Sequence, residues 1–283
     1  MRTRLLVLAA ALLFSTGGAA IKATSLTAWQ VASFRSGIAA LAVLVMLRGA
    51  RRLPDRATWL VGIVYAATLV FFVVANKNTT AANAIYLQGT APLYILLAAP
   101  FLLRERVSRA DIVFMAALAL GLAAFFMGQE PARGTAPNPA LGNMAALASG
   151  LTWAATVMGL RWLGRRSDDP TATQPSLVAG NVLACVLTLG LALPVEQFTT
   201  RDLVILVFLG VFQIGLAYVC LVEGIRGVPA LEASLLLLLE PVLNPIWAWL
   251  VHSEAPGPWA LVGGAIIMVA TTTRTAWDVR RAA

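Results

Sequence analysis

Charge is what this sequence has least of. Asp, Glu, Lys and Arg make up 12% of its 283 residues, against about 25% in a soluble domain, whose surface must face water. Hydrophobic residues make up 59%, and the mean hydropathy is +0.81. A cytosolic globular enzyme and a disordered chain are both excluded on these figures. Histidine is scarcer still. The one present, His252, falls at the end of an apolar run, so neither a zinc-binding His-Glu-x-x-His helix nor a buried Ser–His dyad can be assembled. Every aspartate (Asp55, Asp111, Asp168, Asp169, Asp202 and Asp278) lies between apolar runs or near a terminus, which leaves an intramembrane aspartyl protease without its pair. No G-x-x-x-x-G-K-[ST] loop occurs, so ATP does not drive the protein in cis. Cys185 and Cys220 sit inside apolar runs and read as packed thiols, outside any disulfide framework. No enzyme activity, no metal and no cofactor is expected.

What is present is apolar sequence in lengths that suit a bilayer, where a helical crossing takes about 20 residues. Ten runs occur, at about 5–21, 28–47, 57–76, 79–103, 112–128, 140–160, 176–194, 203–222, 230–251 and 259–276. They are separated by charged or Pro-containing stretches such as Arg51-Arg52-Leu53-Pro54-Asp55. Backbone amides in lipid need internal partners, and runs of this length without period-two alternation make helices rather than barrel strands. The expectation is an all-α integral membrane protein of ten transmembrane helices, spans 1 to 10. Met1-Arg2-Thr3-Arg4 followed by Leu5–Phe14 has the outline of a signal peptide, but a first helix is needed for the two halves to match, so it is read as span 1. The net charge of +8 describes topology. With the N-terminus inside, sixteen of the 21 Lys and Arg fall on the cytoplasmic side, and Lys22, Lys77, Arg133 and Arg201 outside. Both termini are then cytoplasmic, N-in/C-in. No basic cluster interleaves with aromatics on a free face, so no nucleic-acid partner is expected.

A shift of 149 residues, without gaps, lays spans 4–5 on spans 9–10. Ala81, Ala84, Leu87, Pro92, Ala99, Glu105, Val113 and Ala116 fall on Ala230, Ala233, Leu236, Pro241, Ala248, Glu254, Val262 and Ala265. Most of these identities are cheap in an Ala/Leu-rich chain. The mid-span proline and the glutamate thirteen residues after it are not. Five helices per half is an odd number, so the second half enters the membrane from the opposite side. That makes two five-helix inverted repeats, 1–128 (spans 1–5) and 140–283 (spans 6–10), joined by an external linker at 129–139. Inverted repeats are a common chassis of secondary transporters, with the site near the midplane between the halves.

The chain resembles the drug/metabolite transporter superfamily, of the ten-helix EamA type. The residues that carry the resemblance are Phe34-Arg35-Ser36 in span 2, Ala81…Ala84…Pro92…Glu105, its second copy Ala230…Ala233…Glu240-Pro241…Glu254, and the small residues Gly121 and Gly263-Gly264. The resemblance implies a carrier in a bacterial inner membrane, nearest the exporters of aromatic and other neutral amino acids. It also implies that spans 5 and 10 are peripheral, so that Gly263-Gly264 serve packing.

Polar residues within spans mark a pathway or a packed hydrogen bond. Glu240 sits near the middle of span 9, before Pro241, and is a candidate ligand for a substrate amine or a proton-coupling acid. The plainer reading has it bracing the proline break. Asn244 and Trp247 share its face at i+4 and i+7. Span 4 carries the stripe Asn83, Tyr86, Thr90 and Tyr94, with Pro92 and Pro241 as paired hinges; ordinary interhelical hydrogen bonding is the alternative. Tyr65, Thr68, Phe72 and Asn76 in span 3, Gln213 and Tyr218 in span 8, and Ser15 and Trp153 in the repeat-related spans 1 and 6 complete the candidates for a cavity lined by spans 1, 3, 4, 6, 8 and 9. Arg35 in span 2 can snorkel, pair with Glu240 or bind a carboxylate. Trp29, Trp59, Trp162 and Trp277, at span ends, suit interfacial anchoring.

These readings lead to a carrier that exports small neutral metabolites, amino acids with an aromatic preference, by alternating access. Its partners are that solute and the lipid bilayer, and a single copy suffices for the layout. Two other readings stay open. One is a proton-coupled multidrug or cation exporter working through Glu240. The other is a membrane scaffold or lipid-handling protein that transports nothing.

Overall fold

A computed structural model describes residues 2–102, 109–127, 131–225, 228, 233 and 236–282. The helices are α1 (Arg2–Ser15), α2 (Gly17–Lys22), α3 (Ala28–Met46), α4 (Arg56–Asn78), α5 (Ala81–Gln88), α6 (Ala91–Leu102) and α7 (Arg109–Met127). They continue as α8 (Pro139–Gly164), α9 (Gln174–Ala192), α10 (Thr200–Val207), a π-helical stretch (Phe208–Leu216), α11 (Ala217–Ile225), α12 (Leu239–His252) and α13 (Pro258–Ala282). Among the described residues there is no strand, only an isolated bridge between Arg133 and Ala136. Among the described residues, five helical segments are long and apolar enough to cross a membrane: Arg2–Lys22, Ala28–Met46, Arg56–Asn78, Gln174–Ala192 and Thr200–Ile225. The outward faces are apolar too. Leu41, Val45, Val113, Leu120, Val186, Leu187 and Val269 are each between 61% and 71% exposed, far more than water tolerates on a monomer. The chain is an all-helical, multi-pass membrane protein. Glu105 and Ala230, used in the sequence repeat, lie outside the described residues, as do Arg104, Arg106 and Arg226 of the basic-residue tally.

Helix starts follow local chemistry. Thr27 caps α3 in a reciprocal box with Gln30, Asp55 accepts the Thr58 N–H ahead of α4, and Thr80 accepts the Asn83 N–H ahead of α5. Packing then places α4 at the centre, against α8 and α9, with α3 against α9 and the π stretch, α1 against α11 and α12, and α7 against α13. Small residues set the spacing. A Cβ on Gly121 of α7 would lie 3.0 Å from the Gly263 carbonyl of α13, so the two backbones are in direct contact there.

Four of the apolar runs are interrupted within their described residues. Span 1 breaks at Thr16, span 4 at Gly89-Thr90, span 9 at Leu238, and span 8 widens into the π stretch. Under the 149-residue shift, Gly89 corresponds to Leu238, so spans 4 and 9 break at equivalent places. Each break lies just upstream of its proline. Pro92 is the second residue of α6 and Pro241 the third of α12, first-turn positions where a missing N–H costs no helical bond. Hydroxyls satisfy the carbonyls that the breaks release: Ser15 Oγ donates to Leu12 O (2.7 Å), Thr16 Oγ1 to Leu13 O (2.6 Å) and Thr90 Oγ1 to Leu87 O (2.6 Å).

Candidate functional site: a cavity among the broken helices

The breaks surround a cavity of about 350 Å³. Phe14 comes from α1, Arg35 from α3, and Tyr65, Thr68, Leu69 and Phe72 from one face of α4. The α5–α6 break supplies Ile85, Gln88, Gly89, Ala91 and Pro92, and α8 supplies Trp153. Gln213 and Ile214 enter from the π stretch, Tyr218 and Leu221 from α11, and Leu237, Glu240 and Pro241 from the span 9 break.

Five of the lining residues are aromatic: Phe14, Tyr65, Phe72, Trp153 and Tyr218. Tyr218 meets Phe14 edge-on at 5.3 Å between ring centroids and Tyr65 at 6.0 Å, arrangements favoured by the ring quadrupoles. A hydrogen-bonded seam fixes α5 to α8 and α4: Gln88 Nε2 donates to Ser149 Oγ (2.7 Å), and Ser149 Oγ to Thr68 O (3.3 Å). Among the described lining residues, Arg35 is the one base and Glu240 the one acid. Glu240 occupies the first turn of α12, where the helix dipole favours a carboxylate. No ion pair joins it to Arg35, one of the arrangements open from sequence. Two buried polar atoms of the lining, Arg35 Nε and Gln213 Oε1, have no protein partner.

The cavity brings together Tyr65, Trp153, Gln213, Tyr218 and Glu240, with Pro92 and Pro241 at its rim. Other sequence candidates, Asn76 and Tyr94 among them, lie outside its lining. Ser15 accepts a hydrogen bond from Trp247 Nε1 (2.9 Å), clamping α1 to α12. Asn83 Nδ2 donates to Asn143 Oδ1 (3.2 Å), which also accepts from Thr79 Oγ1 (2.7 Å), tying α5 to α8. Tyr86 lies against Gly264 of α13, where a Cβ would come within 2.5 Å of its ring. Thr90 caps the broken end of α5. Asn244 is fully buried beside Gly18 and Asn76, with both amide atoms unpartnered. Sequence reasoning left Phe14, Gln88 and Leu221 unremarked and kept span 2 out of the lining. The motif at Phe34-Arg35-Ser36 was the signal for span 2, a charge that stays put because a guanidinium does not neutralise.

A buried ion pair ties α2 to the segment that follows α12. Lys22 Nζ lies 3.0 Å from Glu254 Oε2, the two side chains 3% and 2% exposed. Lys22 also donates to Thr79 O (2.7 Å) and Thr135 O, and Glu254 Oε1 accepts the Ala81 N–H (2.6 Å). Beside them Lys77 Nζ donates to Thr24 O (2.8 Å), and Asp202 accepts from the N–H and hydroxyl of Ser25 (2.8 and 2.7 Å). The ion pair of Arg52 with Asp169, by contrast, is exposed. Hydrogen bonds from the Thr171 hydroxyl and N–H, then Arg52, hold the Asp169 carboxyl down at about 2.

Comparison with known proteins agrees with this architecture. The EamA-like transporter family matches residues 1–127 and again 140–273. The pseudopaline exporter CntI of Pseudomonas aeruginosa, from two strains, is 26% identical over 272 residues, covering 94% of this chain and 93% of that one. A crystal structure with 22% identity shares the fold at a TM-score of 0.66, over 98% of this chain and 97% of the other. With the family matched in both halves of a helical bundle that encloses a central cavity, the chain belongs to the EamA-like transporter family of the drug/metabolite transporter superfamily.

Proposed function

We propose that the protein exports small, neutral, amphipathic metabolites, amino acids with an aromatic preference foremost, by alternating access through the central cavity. In this reading residues 1–128 and 140–283 are inverted halves joined by 129–139. Both termini face the cytoplasm of a bacterium, and the cavity sits near the midplane of its inner membrane. The observation that carries the proposal is the cavity's composition: five aromatic residues, Phe14, Tyr65, Phe72, Trp153 and Tyr218, with one acid and one base. Such a pocket accepts an apolar side chain by burial and repels a solute of high net charge, which would lose its hydration without compensation.

Two features support movement as well as binding. The spans interrupted around the cavity have short helical pieces that can pivot without tearing a continuous hydrogen-bond ladder. The Lys22–Glu254 corner is held by discrete, breakable contacts, as a gate requires. Efflux of radiolabelled phenylalanine, leucine and a non-amino-acid control from proteoliposomes tests the proposal. Saturable phenylalanine efflux is expected; movement of the control with no amino acid moved refutes it.

The position of Glu240 on the cavity wall favours one further reading, a proton-coupled exporter of cations or drugs. Glu240→Gln separates the two. A proton-coupled exporter loses pH-dependent counterflow, whereas an amino-acid carrier in which Glu240 serves only the solute amine keeps its pH profile while its KM rises.

A further inference from the structure

We propose that Arg35 is the anion anchor of the cavity and that its ligand is a carboxylate of the transported solute. The proposal deepens the carrier reading and rests on it. Arg35 heads the fully buried side chains of the described protein, 1% exposed, yet it lines the cavity. A guanidinium carries five N–H donors and keeps its charge. Here one hydrogen bond is made, from Nη2 to Leu69 O at 3.3 Å, and Nε has no partner. A buried charge without a counterion is among the more costly arrangements a protein can hold.

The internal explanations fall short. Bracing the Leu69 carbonyl uses one donor of five, and a neutral amide would do it at lower desolvation cost. Glu240 lines the same cavity but forms no ion pair with Arg35, although arginine and carboxylate make bidentate pairs wherever geometry allows. What remains is an anion that occupies the cavity. Gln213 Oε1 is also unpartnered, so a further donor of a solute would find a bond there.

The placement of the two charges defines the solute further. Arg35 is on α3 and Glu240 on α12, and both line the cavity with Tyr218. A carboxylate at Arg35 and an ammonium toward Glu240 then share the cavity with its aromatic residues, and the cavity's charges match a zwitterion of zero net charge. The same guanidinium chemistry would take chloride. Chloride, however, leaves Glu240 and Gln213 as they are, and only an organic carboxylate brings groups to meet them.

Matched acids and amides read this directly. Titration calorimetry on the purified protein compares phenylalanine with phenylalaninamide, and hydrocinnamate with hydrocinnamamide, in chloride-free buffer and with chloride added. Wild type is expected to bind each acid at least about tenfold more tightly than its amide, the scale of one charge-assisted hydrogen bond. Arg35→Gln is expected to bind acid and amide alike, with acid affinity reduced, and Arg35→Lys to recover part of the preference. The wild-type ratio needs no variant, so a misfolded Arg35→Gln leaves the test intact. A wild-type ratio near one, an unchanged ratio in Arg35→Gln, failure of every acid to bind, or saturation of the site by chloride alone overturns the proposal. Binding of hydrocinnamate with its preference intact, while phenylalanine does not bind, upholds Arg35 and removes the amino-acid reading. Equal binding of phenylalanine and its amide does the reverse.

Discussion

Lys22→Met removes one partner from the ion pair that ties α2 to the segment that follows α12. Glu254 would be left 2% exposed, its Oε1 still on the Ala81 N–H but its Oε2 without the ammonium 3.0 Å away. Stranding one charge of a buried pair costs about 3–5 kcal/mol. The carbonyls of Thr79 and Thr135 lose their donor as well, worth about 1 kcal/mol each, though these losses overlap because Glu254 can relax toward water once the corner loosens. A net loss of about 4 kcal/mol is expected for the paired form. At about 1.4 kcal/mol per tenfold, that is nearly three decades in any equilibrium that opens this corner. Two measurements follow. Unfolding in detergent should show the loss for Lys22→Met and recovery of most of it in Lys22→Met/Glu254→Gln, because a neutral pair strands no charge. A cysteine in place of Ala81, which is fully buried, should react with a soluble maleimide far faster in the Lys22→Met background. Stability of Lys22→Met within about 0.5 kcal/mol of wild type, the range of an ordinary surface change, with labelling unchanged, would mean that the pair is solvated and holds nothing together.

Three more outcomes are expected. Gly17→Leu should depress transport while Gly17→Ala is tolerated: a Cβ there meets only the Gln213 amide end, at 2.9 Å, and the Phe72 ring, at 3.7 Å, whereas a larger side chain displaces Gln213. Initial efflux rates and protein yield separate this from misfolding. Tyr218→Ala removes two edge-to-face contacts, about 0.5–1.5 kcal/mol each, and should raise KM for aromatic solutes several-fold more than for leucine; an equal effect on both would place Tyr218 outside the contact surface. The loop before α9 should hold from pH 8 to pH 4. The folded Asp169 carboxyl lies at about 2, below its ordinary value near 3.9, so its contribution is present above about 4 and fades only as pH falls through about 2. Asp169→Ala should free the Thr171 N–H, which donates to Asp169 Oδ1 at 2.8 Å, and speed its hydrogen exchange at neutral pH.

The helical segments were legible in the sequence because lipid leaves few options: an apolar run of sufficient length must be helical whatever it touches. The ten runs at 5–21 through 259–276 lie on the described helices or on residues adjoining them. The interruptions were less legible. Pro92 and Pro241 pointed to breaks in spans 4 and 9, but the breaks fall upstream, at Gly89-Thr90 and Leu238. Proline is comfortable in a helix's first turn and disturbs only what precedes it. The break in span 1 at Thr16 and the π stretch at Phe208–Leu216 carry no proline, and periodicity alone gives no sign of them.

Those interruptions decide which polar side chains meet the cavity. The stripe Asn83, Tyr86, Thr90 and Tyr94 shares a face only on an unbroken helix. With the helix broken at Gly89-Thr90, Asn83 is held by Asn143 on α8, Tyr86 lies on Gly264 of α13, and Thr90 is consumed in capping. Span 3 is unbroken, and there the sequence stripe Tyr65, Thr68 and Phe72 does line the cavity. A polar residue in a membrane sequence therefore says little until its partner is known. Buried amides with an atom left without one gather along α2: Gln213, whose Nε2 lies beside Gly17, then Asn244 and Asn76 beside Gly18, one turn before the Lys22–Glu254 pair. Each unpartnered atom would cost about 1–3 kcal/mol if permanently dry. In a bilayer, that cost is relieved only if water or a solute reaches these atoms.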